Sequence, residues 1–177
     1  MKVVDLSQTI FSGMKIYPGD PPVKIEPIHF LRQHGWRLRH LSFGSHTGTH
    51  VDVPVHMDAQ GKTLDQLSLE NFFGPARLVQ NNAPFPAKIG LFFAAGLFDN
   101  QTAKKIIEAR APFIGLSVDC DFPVAIERKL LKSKIITFTD LINVNQLPKN
   151  KQFLFYGFPL KIKDGDGSPI RAVAVIE

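Results

Sequence analysis

Four side chains that can bind a divalent metal ion stand close together in the sequence, at His46, His50, Asp52 and His56. All four positions are even-numbered, and alternate side chains of an extended chain point to the same face. Imidazole nitrogens and carboxylate oxygens are good ligands for zinc and related ions. The segment 46–56 therefore predicts an extended chain with a metal-binding face, because its glycine, proline and β-branched residues oppose a helix.

A straight strand would hold the ends of this segment too far apart for one site. His50 and Asp52 would lie about 7 Å from each other along such a strand, whereas the two ends of the segment would be separated by roughly 33 Å. All four groups can meet only if the chain bends. Gly48 and Pro54 permit bends, because glycine accepts backbone conformations closed to other residues and proline interrupts a strand.

The four groups need not all bind the ion. A catalytic site keeps one coordination position open for water or substrate, and a bound divalent ion lowers the pKa of water to about 7. An unliganded histidine nearby can then move protons. We interpret His46, His50 and Asp52 as metal ligands and His56 as the general acid or base. The alternative is an accidental cluster of surface histidines.

The composition indicates one globular domain over residues 1–177, with 44% hydrophobic and 21% charged residues. The net charge is +5, but the basic residues are scattered, and we expect no nucleic-acid binding because that needs a concentrated basic face. A mildly basic surface instead suits solubility or the attraction of an anionic metabolite. We therefore expect a small-molecule substrate.

The sequence also predicts a cytoplasmic protein that does not enter a membrane. No apolar stretch approaches the ~20 residues that span a bilayer, and residues 1–10 lack the layout of a signal peptide. The single cysteine, Cys120, excludes an internal disulfide and suits a reducing compartment. We interpret Cys120 as a small buried side chain rather than a nucleophile.

Local patterns predict an α/β fold. Strands are predicted at residues 3–10, 23–30, 36–43, 76–80, 88–94, 113–118, 134–138, 152–156 and 170–176. Helices are predicted at residues 99–110, where Asp99 or Asn100 can cap the first turn, and at 123–133, where a proline lies in the first turn. The early strands suggest an antiparallel layer, whereas the later alternation of strands and helices suggests a parallel one.

The segment 46–56, read as His-Thr-Gly-Thr-His-Val-Asp-Val-Pro-Val-His, resembles the signature of the metal-dependent cyclase family, which includes bacterial kynurenine formamidase. The resemblance extends from near Asp5 to the C-terminus. Residues 17–20 are similar to an early loop of that family, Gly61 and residues 69–76 to the segment that follows the signature, and residues 159–174 to its closing loop and strand.

This resemblance implies a swivelling β/β/α domain, with one mainly parallel and one antiparallel sheet and outer helices. It implies a metal-dependent hydrolase of an amide or related carbonyl, with an arylformamidase step of tryptophan catabolism, N-formylkynurenine to kynurenine and formate, as the nearest named reaction. The ligands would be His46, His50 and Asp52, the acid or base His56, and Tyr17 would line the substrate pocket. Zinc or manganese and a homodimer or homotetramer are also implied.

The sequence departs from the family downstream, where relatives supply two more ligands, a histidine that starts a helix and a glutamate. Glu127 stands at the histidine position and Thr139 at the glutamate position, and no histidine follows His56. We therefore expect one divalent ion rather than two, with zinc ahead of manganese. Glu127 or Asp140 could compensate as an additional ligand, since both carry carboxylates; the alternative for each is a solvated charge.

Two alternatives to a hydrolase stay open at this point. One is a non-catalytic relative with a reduced metal site that serves as a binding or assembly module, and the other is a lyase or cyclase acting on another carbonyl substrate. A further motif, Asp-Gly-Asp-Gly-Ser at residues 164–168, lacks the spacing of an EF-hand. We interpret it as a tight turn before the last strand.

Overall fold

The computed structural model describes residues 1–177, most of whose strands form one large sheet. The strands are β1 (Lys2–Asp5), β2 (Lys24–His29), β3 (Leu38–Ser42), β4 (His50–Asp52), β5 (Phe73–Leu78), β6 (Gly90–Phe93), β7 (Gly96–Leu97), β8 (Phe113–Ser117), β9 (Cys120–Asp121), β10 (Ile136–Leu141), β11 (Gln152–Tyr156), β12 (Gly167–Pro169) and β13 (Val173–Ile176). The helices are α1 (Leu31–His34), α2 (Asn100–Glu108) and α3 (Val124–Lys132), with 3-10 turns at Pro54–His56, Leu64–Gln66, Leu69–Phe72 and Val144–Gln146.

The large sheet has nine strands in the order β1-β13-β11-β5-β6-β8-β10-β4-β12. Its central strands β5, β6, β8 and β10 are parallel. The strands on either side of them, β11, β13 and β1 at one end and β4 and β12 at the other, pair antiparallel. The α/β fold predicted from the sequence is confirmed, and its parallel and antiparallel parts share one continuous sheet.

Alternation of side chains along the strands separates two hydrophobic cores on the two faces of this sheet. Phe92 on β6 and Phe113 on β8 belong to one core, together with Val51 on β4. Leu91 on β6 and Ile114 on β8 point the other way, where α2 and α3 cover the sheet with their own buried side chains. Residues flanking Val51 on β4 must therefore lie on the helix-covered face.

Both predicted long helices are present, each slightly shorter than expected. The Asp99 side chain accepts a hydrogen bond from the backbone N–H of Thr102 at 2.8 Å, so it caps α2 as its position in the sequence suggested. The predicted strand at residues 3–10 is wrong in length, because β1 ends at Asp5. Beyond Asp5 the backbone of Leu6 bonds to Ala172 and Ile142 in different parts of the chain, a pattern that no local alternation encodes.

Strands β2 and β3 form a separate two-stranded hairpin. Every residue of β3 is exposed, and so is most of β2. Three of the six histidines, His29, His34 and His40, lie in this hairpin and outside the segment 46–56. Among the helices, none combines the length and the apolar character that crossing a bilayer requires.

Candidate metal centre

The short strand β4 carries two of the predicted ligands on the helix-covered face of the sheet. His50 and Asp52 are buried there, at 8% and 1% exposure, and flank Val51, which points into the opposite core. Strand β4 lies between β10 and β12, with His50 opposite Thr139 and Asp52 opposite Thr137 on β10. His50 and Asp52 therefore point to the same face of the strand, as the sequence predicted.

The two bends expected in the segment 46–56 are also present. Gly48 has a backbone φ of +61°, in the left-handed region that glycine accepts without strain. After Val53 the chain turns into the 3-10 turn Pro54–His56. These bends return His46 and His56 to the same place, where their rings are tilted by 39° with centroids 4.1 Å apart.

Asp52 is the carboxylate on which the other groups converge. Its Oδ1 lies 2.6 Å from Nδ1 of His46 and 3.2 Å from Nε2 of His50. Its Oδ2 accepts a hydrogen bond from the Thr137 hydroxyl at 3.0 Å, and the Thr139 hydroxyl lies 3.4 Å away. The buried carboxylate is thus surrounded by donors, which its charge requires.

His50 is oriented by both of its ring nitrogens. Nδ1 lies 2.7 Å from the carbonyl oxygen of Gly48, and a protonated Nδ1 donates to it. Nε2 is then directed toward Asp52 and lies 2.9 Å from the Thr139 hydroxyl. A ring held in this way can release the hydrogen of Nε2 to bind a metal ion while Nδ1 keeps its own, which is the tautomer that a metal ligand needs.

The two carboxylates suggested as additional ligands have different surroundings. Glu127 on α3 is half-buried, lies 3.4 Å from the Thr137 hydroxyl, and has a carboxylate oxygen within 4.8 Å of ligand atoms of Asp52 and His56. Asp140 is exposed at the edge of the centre, and only its backbone carbonyl is bonded there, by Gln8 and Thr49. The geometry favours Glu127 over Asp140 as a further ligand.

The electrostatics of the centre follow from burial and from these close charges. Burial raises the pKa of Asp52, but His50 and His46 outweigh burial and hold it well below its usual range. Burial lowers the pKa of His50, but the Asp52 carboxylate outweighs it and raises the pKa to about 9. Burial and the charge of Asp52 raise the pKa of Glu127 to about 8. Burial and the neighbouring His46 lower the pKa of His56.

The donor set fits a divalent cation. Ligand atoms of His46, His50 and Asp52 all lie within 4.8 Å of one another. If Asp166 accepts the Nε2–H of His46, then Nδ1 of His46 presents a lone pair to a carboxylate oxygen of Asp52 at 2.6 Å. Two acceptors at this distance need either a proton or a metal ion between them, and two imidazoles with one carboxylate form a ligand set of catalytic zinc sites.

A cavity of about 840 Å³ opens beside these groups and is lined by His46, His50, Asp52, His56 and Glu127. Tyr17, predicted to line a substrate pocket, lies on its wall and is 67% exposed. Apolar side chains form another part of the wall. They include Leu116 on β8, Val118 directly after that strand, and Val124 on α3. The cavity is large enough for a small aromatic substrate.

Asp166 is the charged residue of this centre that the sequence did not indicate. Its Oδ2 lies 2.9 Å from Nε2 of His46 and 3.5 Å from Nδ1 of His56. The prediction of a simple tight turn at residues 164–168 was incomplete: the chain turns at Lys163 and Asp164, but Asp166 reaches the histidines. No local signal separates Asp166 from the nearby Asp164, because both stand in the same polar, glycine-rich motif.

Comparison with known proteins identifies the family. A family model described as "Putative cyclase" matches residues 4–111. The chain belongs to the Cyclase family. This cyclase-family chain is 26% identical to the kynurenine formamidase of Salinibacter ruber over 220 aligned positions, covering 98% of this chain and 97% of the relative. The alignment is longer than the 177 residues of this chain, so the relative carries segments that this chain lacks.

Solved structures share the fold of this Cyclase family member. Isatin hydrolase A from Ralstonia solanacearum superposes with a TM-score of 0.79 at 23% identity, covering 99% of this chain and 92% of the other. A protein described as a potential metal-dependent hydrolase with cyclase activity superposes with a TM-score of 0.76 at 19% identity, covering 98% and 96% of the two chains. The predicted family and fold class are therefore confirmed.

Proposed function

We propose that this chain is a metal-dependent hydrolase of an amide or related carbonyl compound. The observation that carries the proposal is the convergence of His46, His50 and Asp52, together with His56, on the wall of one cavity. The names of the relatives support the reaction class, since a formamide and isatin both contain an amide bond. Hydrolysis of N-formylkynurenine to kynurenine and formate is the nearest named reaction.

His46, His50 and Asp52 would hold one divalent ion, with zinc ahead of manganese. When bound, such an ion supplies Lewis acidity, which activates water and polarises a carbonyl group. Glu127, half-buried beside Asp52, would complete the ligand set or hold a proton. The ion would be single, because Thr139 stands close to His50 and Asp52 where a further charged ligand is expected in relatives.

His56 would transfer protons between water, substrate and leaving group. Its Nδ1 faces the Asp166 carboxylate, so its other ring nitrogen is the one free to exchange a proton with a bound substrate. The apolar part of the cavity wall would bind the aromatic or aliphatic part of the substrate, and Tyr17 would pack against it. The mildly basic surface would favour an anionic substrate.

The test is a measurement of metal content followed by an activity assay. The protein is prepared with zinc or with manganese, dialysed, and analysed for bound metal and for hydrolysis of N-formylkynurenine and a simple formanilide. His56→Ala should lower kcat by about 10²- to 10⁴-fold, the usual contribution of a general acid or base, while the bound metal is retained. His40→Ala on the exposed strand β3 is the control and should leave kcat unchanged.

One observation favours a second candidate, a non-catalytic relative that serves as a binding module. Two of the candidate ligand atoms already have protein partners. The Thr137 hydroxyl contacts Oδ2 of Asp52, and the Thr139 hydroxyl contacts Nε2 of His50. A protein that retains far less than one ion per chain after loading would favour this candidate. A metal-loaded protein that hydrolyses no formamide, cyclic amide or lactone would exclude the named reaction.

A further inference from the structure

Asp166 reaches the centre from the opposite end of the chain. Its Oδ2 lies 2.9 Å from Nε2 of His46, and the two residues are 120 positions apart in sequence. The same oxygen lies 3.5 Å from Nδ1 of His56. A single carboxylate therefore contacts both a candidate metal ligand and the candidate proton carrier, and on His46 it contacts the nitrogen opposite the one that faces Asp52.

The position of Asp166 is fixed by the pairing of its segment with β4 and by the close packing of the residue that follows it. Its carbonyl oxygen accepts a hydrogen bond from the N–H of Val53 at 3.2 Å, directly after β4. The next residue, Gly167, begins β12 and pairs with Asp52. A Cβ on Gly167 would lie 2.6 Å from the His46 ring, so the absence of a side chain lets the loop pack against that imidazole.

We propose that Asp166 is a positioning residue that orients the imidazoles of His46 and His56. A neutral imidazole carries one hydrogen, and the nitrogen that donates it decides which nitrogen keeps its lone pair. If Asp166 accepts the hydrogen of His46 at Nε2, then Nδ1, which lies 2.6 Å from Asp52, is the nitrogen left to bind a metal ion in place of its own hydrogen. Carboxylates in this place are known to orient metal-binding histidines and to raise their basicity. The part of the proposal that concerns the metal ion rests on the proposed function.

Asp166→Asn tests this role, because the amide keeps the shape of the side chain and removes its charge. Asp164→Asn is the matched control, since Asp164 lies in the same loop, is exposed, and contacts neither histidine. Nitrogen-15 NMR of the histidine rings in the metal-free proteins reports the tautomer of His46 directly. Competition for zinc with a chromophoric chelator reports the metal affinity, and Asp166→Glu tests whether another carboxylate restores it.

We expect the wild type and Asp164→Asn to keep a hydrogen on Nε2 of His46, where Asp166 accepts it, and Asp166→Asn to lose this preference. Zinc affinity should fall by about 10- to 100-fold in Asp166→Asn, the usual effect of removing such a partner, and should recover in part in Asp166→Glu. The thermal unfolding midpoint of metal-free Asp166→Asn should match that of Asp164→Asn, which separates orientation from loss of folding.

An unchanged His46 spectrum together with an unchanged zinc affinity in Asp166→Asn would overturn the proposal and make Asp166 a surface charge. A wild-type protein that binds no zinc would instead contradict the proposed metal-dependent function. In that case the NMR comparison still decides whether Asp166 orients His46, because it is made on the metal-free protein.

Discussion

Asp52 shows how one buried side chain can hold a whole centre together. It is almost fully buried. It contacts the imidazoles of His46 and His50 and the hydroxyls of Thr137 and Thr139. Removing one partner of a buried charged network leaves the remaining groups without compensation, which costs about 3–5 kcal/mol. The residue is therefore constrained by the stability of this region as well as by any metal ion.

Cys120 provides a prediction at the same scale. Its thiol lies on the cavity wall, and burial, with a smaller contribution from the Asp119 charge, raises the pKa of the thiol to about 11. The thiolate is the reactive form, so we expect Ellman's reagent at pH 8 to react at least about 100-fold more slowly with Cys120 than with free cysteine, whose pKa is about 8.5.

The sign of the pH dependence checks this explanation of Cys120. Because the pKa of the thiol is raised, the thiolate fraction and the rate should rise about tenfold per pH unit from pH 7 to pH 9 without levelling off. A plateau near pH 8 would contradict a raised pKa. In guanidinium chloride the unfolded protein should react at the ordinary rate, which shows that folding suppresses the reactivity.

At the scale of elements, helix α2 depends on its cap. The Asp99 carboxylate accepts the N–H of Thr102, one of the donors that the first turn of a helix leaves without a partner. Asp99→Ala should lower the free energy of unfolding by about 1 kcal/mol, measured by urea denaturation. Glu108→Ala, at the exposed end of the same helix, is the control and should change it by less than about 0.5 kcal/mol, since its ion pair with Lys104 is exposed.

Packing of α2 against the core could also order its first turn without the cap. Ala103 and Ile106 of α2 are fully buried in the core beneath the helix. Loss of order in the first turn would therefore also disturb the packing of Ala103 in this core. An Asp99→Ala protein with wild-type stability would mean that tertiary packing alone orders the first turn. Asp99 does not line the cavity, so zinc content should be unaffected in either case.

At the scale of the whole molecule, the hairpin β2–β3 suggests assembly. A two-stranded hairpin by itself is marginally stable in water, and clustered exposed apolar side chains commonly mark a protein interface. The exposed apolar side chains of this region are Ile28, Phe30, Leu31, Trp36, Leu38 and Leu41. The homodimer or homotetramer that the resemblance implies stays a prediction, and we place its interface on this hairpin.

Size-exclusion chromatography with light scattering tests that prediction at micromolar concentration. The wild type should elute as a dimer or tetramer, whereas the double variant Trp36→Glu/Leu38→Glu should elute as a monomer, because two charges would be buried at the interface. Leu69→Glu, a similarly exposed leucine outside the hairpin, is the control and should keep the assembly. A monomeric wild type would contradict the prediction.

The residues that sequence reasoning placed correctly are those whose signals are local. The parity of His50 and Asp52, the bends at Gly48 and Pro54, and the cap at Asp99 each depend on neighbours a few positions away. Strand alternation, backbone freedom at glycine and capping all act within one or two turns of chain. The sequence by itself therefore determined that the segment 46–56 bends and presents metal-binding groups to one face.

Only the tertiary structure decided which other groups join this segment. Glu127 comes close because α3 packs over the end of the sheet, Thr139 because β10 pairs with β4, and Asp166 because β12 pairs with the other edge of β4. These contacts join residues separated by many positions, and nothing in the local pattern distinguishes Asp166 from Asp164, or the half-buried Glu127 from the exposed charges around it. The chemistry of the centre begins in one short segment, but strand pairing and helix packing complete it.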